Sequence, residues 1–389
     1  MWESQIHGLT GRGVLQYAPT IPFGQESLSM RSASQKIGVV LFNLGGPDSL
    51  EAVKPYLYNL FQDPDIFSFP LSALVRKPLA YLIASLRARK SRVYFEAIGG
   101  KSPLKELTLG QAEVLEKILN AGPPSPWPSP VEGEGKIQKS PSPLEGEGWG
   151  EGENRFKVLV AMRYWTPSTD EAILELKQEG IQKVILLPLY PHYSYTTTRS
   201  SERYWKKRCK KLGVSFEKEI LIRDYHDHPD YIRSLTARIE EALENFSEQE
   251  KREVHLLFSA HSIPLKEIKN GDPYPKQIQK SMELVLQALG YPHPSSLSYQ
   301  SKVGPLKWLE PSTAETIQVL AHRGVKSVLV VPISFVSDHS ETLYELKKLY
   351  GDLARKVGIQ KYEVMPALNQ QPFFIQALRN LVLTGCQTF

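Results

Sequence analysis

At 389 residues, with 41% hydrophobic and 23% charged, the chain can bury one large core or two moderate ones, which predicts two domains. A net charge of +5 is too mild for a nucleic-acid binder, which would concentrate a basic stripe, and suits an anionic small molecule or an acidic lipid surface. Cys209 and Cys386 alone exclude a disulfide framework and a four-cysteine cluster, and no run approaches the roughly 18 apolar residues of a membrane span.

Residues 1–36 lack the basic start and apolar core of a signal peptide. They read as a disordered extension, with Met30 opening a shorter N-terminus, and the expected location is the cytoplasm. Lys36–Leu44 is a buried parallel-type strand that ends at Gly45-Gly46-Pro47, after which Asp48-Ser49-Leu50-Glu51 predicts a capping-box helix start. The stretch 67–92 mixes apolar residues (Phe67, Phe69, Leu71, Leu74, Leu79, Leu82, Leu86) with Arg76, Lys77, Arg87, Arg89, Lys90 and Arg92. It reads either as an amphipathic helix on the core or as a cleft lip that admits an apolar ligand and rests on lipid. Ile98-Gly99-Gly100-Lys101-Ser102-Pro103-Leu104 has neither dinucleotide nor Walker spacing, so no nucleotide site is expected there. Residues 122–153 repeat Pro-Ser-Pro-(Val/Leu)-Glu-Gly-Glu-Gly at 128–135 and 141–148 and read as a disordered surface insertion.

Strands are predicted at Phe156–Met162, Lys183–Leu187 and Ser215–Ile222. A second set is predicted at Val254–Ala260, Leu297–Gln300, Ser327–Ser334 and Lys361–Pro366. Helical patterns such as Ser168–Glu179, Tyr231–Asn245 and Thr313–Arg323 lie between them. The expected fold class is α/β: two Rossmann-like domains, each a four-stranded parallel sheet flanked by helices, with the active cleft between them. The expected division is 37–210 and 211–389, the latter with a C-terminal helical extension.

Ligands in open α/β sheets bind at the carboxyl ends of strands. One strand ends at Ser259-Ala260-His261-Ser262 and another at Ser337-Asp338-His339-Ser340-Glu341, so His261 would face Asp338, His339 and Glu341. Each has an ordinary alternative: His261 satisfied by backbone, His339 at the surface, Asp338 and Glu341 as a helix cap. Together they suit metal or proton chemistry, because imidazole and carboxylate both ligate Fe(II) and both accept protons near neutral pH. Glu345, one turn beyond Glu341, extends a proton path or decorates a solvated face. Tyr195–Ser201, rich in hydroxyls and carrying Arg199, precedes a helix and is either an anion site or a polar turn. Arg163, Tyr164 and Trp165 suit the face of a flat conjugated acid.

These segments, together with Leu44-Gly45-Gly46-Pro47, Leu189-Tyr190-Pro191-His192-Tyr193-Ser194, Gly271-Asp272-Pro273-Tyr274, Tyr299-Gln300-Ser301-Lys302-Val303-Gly304-Pro305 and Phe335–Glu345, closely resemble ferrochelatase. The resemblance runs from about residue 37 to the end, apart from the insertion. It implies insertion of Fe(2+) into protoporphyrin IX to give protohaem, the last step of haem biosynthesis. The alternatives are a coproporphyrin ferrochelatase, a cobalt or nickel chelatase on another tetrapyrrole, and a non-catalytic porphyrin or haem carrier. By motif, His261 would bind metal and take protons, with Glu341 as its partner and Asp338, His339 and Glu345 as the acidic path. Arg163 and Tyr164 would sit at the opposite porphyrin face, and Tyr190 and His192 on the iron approach. Ser102, Thr196, Thr198, Gln300, Lys302 and Phe335 would lie around the pocket or the propionates. The partners would be porphyrin and ferrous iron as substrates, with peripheral contact to a membrane and no nucleic acid. Phe95 stands where family members commonly carry tyrosine, and Tyr195 where cluster-bearing members carry cysteine. No permanently bound cofactor and no iron–sulfur cluster are therefore expected.

Overall fold

Strand β1 (Ile37–Asn43) is buried at every position, which is what a central strand of a parallel sheet requires and why its sequence is a continuous apolar run. In the computed structural model, which describes residues 36–64, 73–121, 155–290, 293–302 and 306–389, it lies between β2 (Phe156–Met162) and β3 (Lys183–Pro188). With β4 (Lys218–Leu221) these form a parallel sheet ordered β2-β1-β3-β4. The strands β5 (His255–His261), β6 (Ser295–Gln300), β7 (Ser327–Val331) and β8 (Lys361–Val364) repeat the same wiring as β6-β5-β7-β8. The expected α/β class and the two four-stranded sheets are both present.

Helices follow the strands in the order α1 (Val53–Phe61), α2 (Ala73–Glu96), α3 (Leu104–Asn120), α4 (Thr169–Gln178), α5 (Thr198–Leu212), α6 (Pro229–Leu243) and α7 (Glu248–Glu253). In the second half come α8 (Leu265–Lys269), α9 (Tyr274–Leu289), α10 (Thr313–His322), a π-helix (Glu341–Tyr350), α11 (Gly351–Lys356) and α12 (Pro372–Cys386). Helices α4, α7 and α10 each open on a complete capping box, at Ser168/Glu171, Ser247/Glu250 and Ser312/Glu315.

Several boundaries differ from the sequence reading. The first helix starts at Val53, not at Asp48, because Ser49 Oγ accepts from Ala52 N and closes a separate turn before it. Strand β7 stops at Val331; Pro332 has no N–H to continue a ladder, and Phe335 N turns back to Pro332 O. The division expected at 210 cuts the first sheet, since β4 lies beyond it and pairs with β3. The sheets also share an apolar core: Val39, Leu41 and Leu187 of the first join Leu256, Phe258 and Leu329 of the second. Helix α12, expected as an extension of the second half, contributes Phe374, Leu378 and Val382 to that core, and Gly385 lies against Ile185 of β3. The extension 1–35, lip residues 67–72 and the insertion 122–153 lie outside the described residues.

Candidate active cleft

In a sheet wired 2-1-3-4, the connections leave in opposite directions at the ends of the first and third strands, opening a crevice there. Both crevices line one cavity of about 240 Å³. Asn43–Pro47 and Leu189–His192 come from the first sheet, and His261–Pro264 and Ser334–Ser337 from the second. Gly45 makes the close fit possible: its φ is +84°, and a Cβ there would lie 2.9 Å from Trp165 Cβ.

His261 ends β5, its N–H held by Ser334 Oγ at 2.9 Å and its carbonyl by the Tyr274 hydroxyl at 3.0 Å. Its Nδ1 lies 2.6 Å from Ser262 O, so Nδ1 carries the proton and Nε2 faces the cavity, 3.5 Å from Glu341 Oε1. His339 repeats the arrangement, with Nδ1 3.0 Å from Ser337 O and Nε2 3.5 Å from Glu341 Oε2. His261 and His339 thus flank the Glu341 carboxylate, one at each oxygen, and hold acid–base groups together at one end of the cavity. Phe335 covers both rings, at centroid distances of 6.3 Å to His261 and 4.8 Å to His339.

Burial alone would push His261 towards the neutral form, but the Glu341 carboxylate outweighs it and raises the imidazole pKa above its ordinary value. Burial likewise disfavours ionised Glu341, and His261 and His339 together hold it well below the usual carboxylate range. Both directions favour the imidazolium–carboxylate form of the pair. Glu345 stands behind it, its pKa raised by burial and then by Glu341. Ser301 N and Oγ donate to Glu345 at 3.0 and 2.7 Å, and the Tyr350 hydroxyl at 2.8 Å. The π-helix brings Tyr350 into reach, five residues beyond Glu345, at its own i to i+5 spacing.

Not every expected residue reaches the cavity. Asp338 is 9% exposed and points away, into the segment before α12. Gln300 lies beneath Glu341, donating to its carbonyl at 3.4 Å, and Lys302 turns outward to Glu310. Arg163 and Tyr164 are drawn behind the wall by buried Asp63, which accepts from Arg163 Nη2 at 2.7 Å, Tyr164 OH at 2.5 Å and Ser200 Oγ at 2.7 Å. Of the two readings of the segment before α5, an anion site or a polar turn, the contacts favour the turn: the chain's own Asp272 fills it, its Oδ2 taking Ser194 Oγ and Tyr195 N. Thr198 is buried in that turn, whereas Thr196 and Ser102 do line the cavity.

Tyr190 and His192 both line the cavity. Burial first, and then His226, press His192 down to a pKa of about 3, so it stays neutral. Ser281 Oγ donates to His226 O at 2.6 Å, so it accepts His192 Nε2–H at 2.9 Å and leaves Nδ1 without a hydrogen-bond partner among the described residues. Three lining residues had no sequence signal: Tyr56, Leu60 and Trp308. Among the described residues, no three His, Cys, Asp or Glu side chains are arranged to cage a metal ion.

The ferrochelatase family profile matches residues 36–131 and 144–385. The chain belongs to the ferrochelatase family. It is 46% identical to the ferrochelatase of Aquifex aeolicus (strain VF5) over 89% of this chain and 98% of that one. It is 42% identical to the ferrochelatase of Sulfurihydrogenibium sp. (strain YO3AOP1) over 90% of this chain and 98% of that one. A solved structure, SirB from Bacillus subtilis with Fe3+, aligns at a TM-score of 0.47 and 9% identity, covering 90% of this chain and 94% of that one. The chain is thus a metal chelatase of haem biosynthesis, a ferrochelatase acting on ferrous iron and a porphyrin. Among the described residues, no helix is long and apolar enough to cross a membrane.

Proposed function

We propose that this ferrochelatase takes protoporphyrin into the cleft and inserts iron at the His261 end, with net loss of two pyrrole protons per iron bound. The observation that carries the reading is the Glu341 carboxylate held between His261 Nε2 and His339 Nε2 in a cavity whose apolar lining includes Leu44, Leu60, Leu104, Leu189 and Ile263. An apolar slot suits a macrocycle with two propionates better than one with four.

The chain's own residues supply three functions in this reading. Ser262 and Ser337 carbonyls fix both imidazole tautomers, so both Nε2 atoms stay aimed at the reaction space. The resting proton on His261 must leave before that nitrogen takes a pyrrole proton or meets iron. An arriving dication drives it out by repulsion across a few ångströms. Glu341, then Glu345 with Ser301 and Tyr350 around it, is the outward path. His192, with its bare Nδ1, is the neutral donor on the iron approach.

Peripheral membrane contact belongs to the same reading, in an enzyme working from the cytoplasm. Helix α2 buries Ala80, Ala84 and Ala88 against α1, yet exposes Val75, Leu82, Leu86 and Val93 on the opposite face, beside Arg89 and Lys90. An apolar stripe edged by cations suits an acidic lipid surface. We infer no iron–sulfur cluster, since Tyr195 offers a phenol that donates to Asn270 O and carries Arg199 3.4 Å over its ring.

The test is anaerobic insertion with Fe(II) and purified enzyme, protoporphyrin and coproporphyrin side by side. The expected result is preferential metallation of protoporphyrin and loss of turnover in His261→Ala and Glu341→Gln. Preference for coproporphyrin would overturn the substrate reading, and full turnover in His261→Ala would overturn the site.

A further inference from the structure

Asp338 sits one residue before His339 and three before Glu341, yet its carboxylate never faces the cavity. Its Oδ2 accepts from Asn369 Nδ2 at 2.8 Å, and Asp338 N donates back to Asn369 Oδ1 at 2.9 Å, closing a reciprocal pair. Its Oδ1 accepts from Thr342 Oγ1 at 2.8 Å and from Ala367 N at 3.4 Å. The Thr342 hydroxyl has His339 O at 3.1 Å as a second acceptor, and it receives His339 N at 3.0 Å. Asn369 is held in turn: φ is +49°, its N–H donates to Val336 O at 2.8 Å, and its carbonyl receives Gln111 Nε2 at 2.7 Å. Gln111 Oε1 then takes the Ser337 hydroxyl at 3.2 Å, so α3 of the first half clasps the same loop.

We propose that Asp338 is a positioning residue that brackets the loop carrying His339 and Glu341, and that its carboxylate takes no part in proton transfer. Both its oxygens already receive protein donors. Protonating Oδ1 would set O–H against the Thr342 and Ala367 donors, and protonating Oδ2 would weaken its hold on Asn369, so either step loosens the bracket, an expensive move for a relay used at every turnover. The bracket instead fixes backbone 337–342. The direction of the His339 ring follows, through Ser337 O, as does the placing of Glu341 at the first turn of the π-helix. The inference rests on the reading of His261 and Glu341 as the reacting pair.

The two roles separate by exchanging the partners. Asp338→Asn sets an amide donor against Asn369 Nδ2 or, flipped, against Thr342 and Ala367. Adding Asn369→Asp restores an acceptor opposite that donor, and aspartate tolerates the left-handed backbone at 369. The bracket is then rebuilt with no carboxylate at 338. Iron-insertion kcat, porphyrin binding by fluorescence quenching and melting temperature are measured for D338N, the D338N/N369D exchange, T342V and H261A. D338N is expected to lose about 10–100-fold in kcat, the usual cost of removing an outer-sphere support, while still binding porphyrin. The exchange recovers most of that loss, and T342V, which keeps the carboxylate, shows a partial loss. An exchange variant that folds but stays at the D338N rate overturns the bracket, as does T342V or D338N at full kcat. H261A at full turnover would overturn the underlying site reading and the bracket with it; an inactive H261A beside an unrescued exchange overturns the bracket alone.

Discussion

Asp63 carries the first wall of the cleft from behind, and removing it gives a sharp test of the energetics. Its carboxylate is 1% exposed and its Arg163 partner 11% exposed, so neither charge has water to fall back on. Asp63→Ala strands a buried guanidinium and leaves the Tyr164 and Ser200 hydroxyls without their acceptor. Breaking a buried pair from one side costs about 3–5 kcal/mol, because the charge left behind remains desolvated. At a urea m-value of roughly 3 kcal/mol/M, the midpoint should fall by at least about 1 M. The companion variant is decisive. Adding Arg163→Met removes the orphaned charge and keeps a flexible apolar chain against Tyr204, over whose ring the guanidinium now lies at 4.0 Å. The double variant should regain more than half of the loss. A D63A cost below about 1 kcal/mol, or an R163M step that adds to the damage, would refute the claim that this pair is desolvated and mutually dependent.

Three further outcomes follow from the same structure. His255, at the far end of β5, bonds Ser296 Oγ and is pressed to a pKa of about 4 by burial and then by Arg323, so the unfolded chain protonates first. Its stabilisation is complete above pH 6.5 and falls as pH drops towards 4, by about 3 kcal/mol at most; urea titrations should show H255Q with a flatter acid limb than the parent. Leu86→Glu on the exposed face of α2 should weaken sedimentation with anionic vesicles and leave insertion of detergent-dispersed porphyrin intact; unchanged vesicle binding would count against lipid docking. Gly45→Ala should cost stability and activity together, since a Cβ must displace Trp165 while the backbone holds φ at +84°, and parent-like melting and turnover would contradict that packing.

Strands were the most legible part of the chain, because buried parallel strands write themselves as unbroken apolar runs; Phe156–Met162 emerged with both ends correct. Boundaries failed where a local signal had another use. Asp48–Glu51 has the residues of a helix cap but closes its own turn, and Asp338 has the letters of one but binds Asn369. The His261–Glu341 pair was legible because His261 ends β5 and Glu341 opens the helix reached by the loop after β7. Asp63 was not, because its partners stand far along the chain, and a lone aspartate after a helix carries no periodicity. The outward turn of Lys302 and the burial of Gln300 depend on Glu310 and Ser259, which local spacing does not reveal.

The shared wiring of the two sheets has a consequence for variation. One such sheet offers a crevice with chemistry and shape compressed into the same few loops. Here the groups that carry charge at the cavity, His261 and Glu341, come from the second sheet, while the first supplies glycine, tyrosine and a histidine held neutral. In the proposed reading, what reacts is therefore concentrated in the second half, although Ile263, Tyr274, Trp308 and Phe335 of that half also shape the cavity. A substitution that reshapes the slot for a different macrocycle can accumulate on one wall while the acid–base pair on the other stays untouched.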